Sequence, residues 1–260
     1  MNLGKNFKMR KALIFFSSIF TAFALWHILS TYIFNPFLIP PPLVVFQTAW
    51  PMILSGEIFH HIGISLVRVC VGFISGCFIA ILLGVVLGRI NFIYELFDPI
   101  IEFMRYLSPT AMIPIAIIWF GIGEFSKYFL IFWGTFFIVL VNTIAGVMRA
   151  PLVRQRAAVC LGATQLQIFR YIIIPSATPY IVTGMRIAMA SAFMSIIPAE
   201  ILAADSGIGF LLQNSSMLLQ TNRIFVALLT ISLIGFAFDR LFRMIVDRLL
   251  ARYMSTLLST

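Results

Sequence analysis

A chain of 260 residues that is 61% hydrophobic and only 10% charged, with a mean hydropathy of +1.04, is excluded from the ordinary soluble classes, where about a quarter of residues are charged. The net charge of +9 would point to nucleic acid in a soluble protein, but here the cations gather at the ends of apolar runs, so membrane topology explains them and no nucleic-acid partner is expected. Three cysteines, Cys70, Cys77 and Cys160, form neither a disulfide framework nor a metal site.

Lys5, Lys8, Arg10 and Lys11 precede the first apolar run, and Ala22-Phe23-Ala24 resembles a small-residue cleavage site. The run continues to about Leu29, so an uncleaved anchor is expected. Spans of about 20 mainly apolar residues follow near 12–34, 61–88, 99–120, 127–148, 179–202 and 223–246. The expected architecture is a single all-α membrane domain over 1–260, with about six transmembrane helices.

After the first span, "NPFLIPPP" (35–42) reads as a stiff extended segment, and "FQTAWPMI" (46–53) as a short interfacial helix with Trp50 at headgroup level. On the second span Gly72, Gly76, Ala80, Gly84 and Gly88 recur every fourth residue, a face where another backbone can approach closely. Pro109 and Pro114 interrupt the third span, which suits a helix lining a pathway. The fifth repeats the small face with Gly184, Ala188 and Ala192, and 205–222 reads as a re-entrant or surface helix. Lys and Arg crowd one set of connections and are missing from 35–60, 121–126 and 203–222, which predicts both termini in the cytoplasm.

Ionisable residues at membrane depth are read singly. Arg68 snorkels or pairs, Glu102 and Arg105 suit an i,i+3 pair, and Arg186 captures helix ends or Asp98 and Glu102. Glu200, just after Pro198, has two readings: a gate or hydrogen-bonding group at the outer mouth, or a solvated helix end. Asp239, Arg240 and Arg243 read as a charged helix terminus. The histidines, His27, His60 and His61, have no acid or thiol nearby except Glu57, so neither catalytic residues nor metal ligands are expected. No internal repeat and no midplane charge support a self-contained secondary transporter or channel.

The long connection 149–178 is expected in the cytoplasm. Arg154 to Leu161 suits a short helix exposing Ala157 and Ala158, and Gly162 a left-handed terminus. Thr164 with Gln167 makes a capping box for a second helix that presents Leu166, Phe169 and Tyr171 and ends at Pro175. Thr178 and Pro179 then start the fifth span. Apolar side chains on a helix–turn–helix standing in water call for a soluble partner.

This loop resembles the E-A-A-x3-G-x9-I-x-L-P motif of the permeases of bacterial binding-protein-dependent ABC importers. Ala157-Ala158, three residues, Gly162, nine residues, Ile172 and Pro175 keep its spacing, with Arg156 in place of glutamate and Ile174 in place of leucine. "LIPPPLVV" (38–45), "DPIIEFMRYLSPTAMIPIAIIWFGIGEFSK" (98–127), "NTIAGV" (142–147), "TGMRIAMASA" (183–192) and "AEILAADSGIGFLLQ" (199–213) look like the nitrate, sulfonate, taurine and bicarbonate branch.

The resemblance implies a type I importer permease fold in the bacterial inner membrane, working as a homodimer with two ATP-binding subunits and an external substrate-binding protein. It implies alternating access for a small anion, sulfonate-type compounds foremost, with vitamin precursors as the alternative cargo. ATP and Mg would belong to the partner, in keeping with the missing Gly-x4-Gly-Lys-Ser/Thr loop, and no cofactor to this chain. Arg156, Ala157, Ala158, Gly162, Ala163, Thr164, Leu166, Phe169 and Pro175 would couple to the ATPase. Met104, Pro109, Thr110, Met194, Ser195 and Glu200 would border the path, with Arg105 at its inner end.

Overall fold

The computed structural model describes residues 14, 17, 18 and 20–258, except the side chains of residue 203 and of 247–258. The basic N-terminus and the start of the first span lie outside the described residues. The described chain is all helical: α1 (Phe20–Ile33), α2 (Pro42–Leu54), α3 (Glu57–Arg89), α4 (Asn91–Arg105), α5 (Ile113–Phe120), α6 (Glu124–Met148), α7 (Leu152–Cys160), α8 (Gln165–Ile168), α9 (Ile174–Ala203), α10 (Ile208–Met217) and α11 (Thr221–Leu258). Among the described residues four stretches are long and apolar enough to cross a membrane: α3, α6, residues 165–202, and α11 up to Val246.

The expected third span is two helices rather than one. α4 stops at Arg105 and α5 starts at Ile113, with turns over 106–112 that contain Pro109. Proline offers no N–H to a helical ladder and crowds the preceding residue, so the chain bends here.

The chain divides into two compact units. The first joins residues 1–60 to 211–230. Within it, Trp26 Nε1 donates to the carbonyl of Pro40 at 3.2 Å, and its indole stacks on Phe225 with ring centres 6.0 Å apart. Arg223 pairs with Glu57. The predicted interfacial helix is the longer α2, with Trp50 exposed.

The second unit comprises 61–210 and 231–260, and α6 is its central helix. A Cβ on Gly72, Gly76, Gly84 or Gly88 of α3 would lie 2.6–3.0 Å from Ile131, Thr135, Thr143 or Val147 of α6. Every pair is offset by 59 residues (131 − 72, 135 − 76, 143 − 84, 147 − 88), so α3 and α6 run parallel in one fixed register. The glycine ladder is the groove into which α6 sets its β-branched side chains.

On the other side α9 runs antiparallel to α6. Gly184 lies against Asn142, Gly146 against Tyr180 and Gly134 against Ser195. Because α3 and α6 point the same way, residues 90–123 must bring the chain back across between them, and α4 and α5 make that return. Met112, Ile113 and Ala116 seat α5 on Leu130 of α6 and Ala199 of α9, and Trp133 donates to the carbonyl of Leu107 at 3.0 Å.

The prolines at 175 and 179 behave otherwise than expected. Pro175 was expected to end a helix, yet it sits in the first turn of α9, and residues 165–202 form one continuous helical run. A wider turn over Phe169–Ile173, with the Ile174 N–H donating to the Phe169 carbonyl, absorbs the residue that would clash. Thr178 and Pro179 likewise do not open a helix. Both lie within α9, where the Thr178 hydroxyl donates to the Ile174 carbonyl at 2.9 Å.

Candidate functional site

At the end of the second unit where α3 and α6 begin and α9 finishes, charged side chains are gathered in the interior. Arg68 of α3 is 3% exposed and Glu200 of α9 is 0% exposed. Arg68 grips Glu124 of α6 with two parallel bonds, Nε to Oε2 at 2.7 Å and Nη2 to Oε1 at 2.6 Å. Its Nη1 donates to Glu200 Oε1 at 2.8 Å and to the Ser206 carbonyl at 2.6 Å. Lys127, also buried, donates to Glu124 Oε1 at 2.8 Å.

Two cations and two carboxylates therefore balance, and they tie three helices together. Paired and hydrogen-bonded charge is the form in which ions survive burial.

The rest of the Glu200 carboxylate is also satisfied. The Gly209 N–H donates to Oε2 at 2.8 Å, and the Ser65 hydroxyl lies 2.8 and 2.9 Å from the two oxygens. Ser65 in turn accepts the Ile208 N–H at 2.9 Å, and His61 Nδ1 accepts that of Gly207 at 3.1 Å. Gly207 has φ +118, and a Cβ there would strike the Glu200 carboxylate. The solvated-end reading of Glu200 is thus overturned: the loop after α9 folds back over it and uses it as an anchor.

At the opposite end stands the α7–turn–α8 loop. Gly162 has φ +79, the left-handed turn that its position between two short helices requires. The capping box is formed, with Thr164 Oγ1 accepting from the Gln167 N–H at 3.3 Å and Gln167 Oε1 accepting from the Thr164 N–H at 2.7 Å. Ile168, Ile173 and Ala177 pack on Val147 and Ala150, with Ala158, Ala163 and Phe169 against the same cluster. Phe169 therefore turns inward, whereas Leu161 is 87% exposed and Leu166 and Tyr171 also face out. Arg156, Ala157 and Gly162 are exposed too. Arg89, at the end of α3, donates to Gln165 Oε1 at 2.7 Å.

The expected path residues do not form one lining. Pro109 and Ser195 meet around Gly134, where Ser195 is buried in helix packing. Thr110 and Arg105 are exposed and Met104 is half-buried; Arg105 makes the expected pair with Glu102 at 3.4 Å. Met194 is exposed, at the edge of a cleft between α9 and α11. Arg186 does not reach Asp98 or Glu102: its partner is Asp239 at 3.7 Å. Among the described residues no group of three His, Cys, Asp or Glu could hold a metal ion.

The profile of the family described as "Binding-protein-dependent transport system inner membrane component" matches residues 76–251. The chain belongs to this family. The permease is 34% identical over 232 residues to an ABC transporter permease protein of Methanocaldococcus jannaschii, covering 87% of each chain. It is 32% identical to the taurine transport system permease protein TauC of Escherichia coli over 82% of this chain and 80% of that one. It is 33% identical to the nitrate import permease protein NrtB of Synechocystis over 78% and 77%. These place it among the permeases of binding-protein-dependent ABC importers, in the branch of TauC and NrtB, as a multi-pass inner-membrane protein.

The fold of the permease is that of a chain of the MetNI methionine ABC transporter, solved in inward-facing conformations. The TM-score is 0.53 at 19% identity, over 76% of this chain and 97% of that one.

Sequence reasoning did not connect Ser65, Glu124, Lys127, Gly207 and Gly209 of the permease to Glu200. The available signal was a cation and an acid toward the ends of different spans, followed by a Gly-x-Gly pair.

Proposed function

We propose that this permease works as a pair of identical copies. The pair would carry a small anion inward through alternating access, driven by two separate ATP-binding subunits and supplied by an external binding protein. The observation that carries the reading is the loop 152–175. It is held rigid from behind by the Ile168–Ile173–Ala177 cluster, yet it turns Leu161, Leu166 and Tyr171 outward. An anchored helix–turn–helix with an apolar front is the shape that a groove on a soluble ATPase would receive. ATP and Mg would sit in that partner, and this chain would hold no cofactor of its own.

The Arg and Lys distribution supports both termini and this loop on the cytoplasmic side, and the Glu200 cluster on the outer side. In this reading one permease domain makes half of the path. The end of α4 borders it with Met104 and Arg105 and the turns after α4 with Pro109 and Thr110, while Ser195 and Glu200 hold the helices behind. The names of the TauC and NrtB relatives support a small anion, and a sulfonate is the first candidate.

The test is uptake into proteoliposomes holding permease and ATPase. Uptake is expected only with ATP inside and the binding protein with its sulfonate outside. Gly162→Val should leave the permease inserted but release the ATPase on purification, because a β-branched residue resists φ +79. Uptake without binding protein or ATP would refute the scheme, and a Gly162→Val complex that copurifies and transports normally would refute the docking role.

A further inference from the structure

The connection over 149–178 carries charge of one sign only. Its charged side chains are Arg149, Arg154, Arg156 and Arg170, with no Asp, Glu or Lys among them. Arg149 serves the fold, since its guanidinium lies over the Tyr180 ring at 5.9 Å. Arg156 on α7 and Arg170 just after α8 are exposed, and neither makes an ion pair among the described residues.

The surroundings of these two cations are apolar. Val153 stands one turn before Arg156, and Val159 and Cys160 one turn after, so the three flank it along α7, and all are exposed. Arg170 has exposed Leu166 about one turn before it and exposed Tyr171 beside it. Behind both, Ile168, Ile173 and Ala177 hold the loop to Val147 of α6, so this front is presented in one shape. Positive charge near a cytoplasmic helix end satisfies topology wherever it points, and topology asks for no apolar ring around it. A partner that covers Val153, Leu161, Leu166 and Tyr171 also strips water from the two guanidiniums. A charge so covered needs a counter-charge, because an unpaired ion out of water is costly. The loop has no carboxylate to supply it, so the partner must.

We propose that the ATP-binding subunit meets this loop with an acidic groove. One carboxylate takes Arg156 and a second takes Arg170, each in the two-point geometry that a guanidinium favours. Apolar walls between them close over Leu161, Leu166 and Tyr171. The proposal rests on the docking reading above and adds to it the sign of the partner's surface. Charge then chooses the partner: a groove with Lys or Arg at those two points is repelled by the front that an acidic groove holds.

The test measures affinity between the full chain in a neutral detergent and its purified ATP-binding subunit, at low and at high salt. Salt should weaken binding to the unaltered chain. Arg156→Gln is expected to weaken it about 30-fold at low salt and to flatten the salt dependence, and Arg156→Glu should cost roughly a further tenfold. Leu161→Ala should weaken binding and leave the salt dependence as it was. Arg156 is exposed, so its variants should keep the Tm of the unaltered chain. Among single Asp→Lys and Glu→Lys variants of the ATP-binding subunit, at least one should bind the Arg156→Glu chain better than it binds the unaltered chain.

Salt-independent binding of the unaltered chain, or an Arg156→Glu chain that binds as tightly as the unaltered one, would overturn the acidic groove and leave docking intact. An unaltered chain of normal Tm that does not bind the subunit at all would overturn the docking reading, and the groove with it.

Discussion

Arg68→Met is the sharpest perturbation of the buried cluster. It keeps most of the aliphatic length and removes the four hydrogen bonds that Arg68 makes to Glu124, Glu200 and Ser206. Glu124, 47% exposed, keeps Lys127 and can turn to solvent. Glu200, 0% exposed, cannot. It retains only Ser65 and the Gly209 N–H, and a stranded buried charge of this kind costs about 3–5 kcal/mol. For a chain of this size that is roughly 6–20 °C in Tm. The half-exposed pair of Glu57 and Arg223 is the internal control, and Glu57→Gln should cost less than about 1 kcal/mol. Thermal unfolding of the detergent-solubilised chain, followed by tryptophan fluorescence, measures both. Adding Glu200→Met to Arg68→Met removes the stranded charge and should recover part of the loss, an interaction that distant sites do not show. An Arg68→Met shift no larger than that of Glu57→Gln, or strict additivity in the double variant, would refute the reasoning.

Gly84→Leu should abolish the monodisperse folded peak in size-exclusion chromatography. Its Cβ would fall 2.7 Å from that of Thr143 with helix backbone behind, and overpacking of this kind costs about 1–3 kcal/mol or more. Gly63→Leu on the same helix meets nothing within 4 Å and should give normal yield; matching losses would discredit the ladder as a packing face. Exposed Cys160 on α7 should react quickly with a maleimide while buried Cys77 stays inert. ATPase added beforehand should shield Cys160, and undiminished labelling would count against docking on α7.

The features legible in the sequence were those written in near neighbours. The four-residue beat of Gly72 to Gly88 announced a packing face. The Thr164–Gln167 box and the Gly162 turn are decided within a few residues of themselves. Pairing across the fold was not legible. Arg68 and Glu200 are 132 residues apart, and nothing near Glu200 distinguishes a carboxylate facing water from one roofed by its own following loop. Arg186 was matched to the wrong acids for the same reason: which face of α9 it occupies depends on where α11 lies. Proline misled in both directions. Pro175 and Pro179 both lie within one continuous helix, Pro175 directly after a widened turn, whereas the chain did break around Pro109. The residue alone removes a donor; its neighbours decide whether the ladder survives.

A cogged pair resists sliding. With α3 and α6 engaged at Gly72, Gly76, Gly84 and Gly88 in one constant step, displacing either along its axis by a residue would drive four β-branched side chains into helix backbone at once. The two can swing as one lever but cannot creep past each other. Any relative movement of these helices would therefore fall at the joints, the bend over 106–112 and the open Gly121–Gly123 corner ahead of α6.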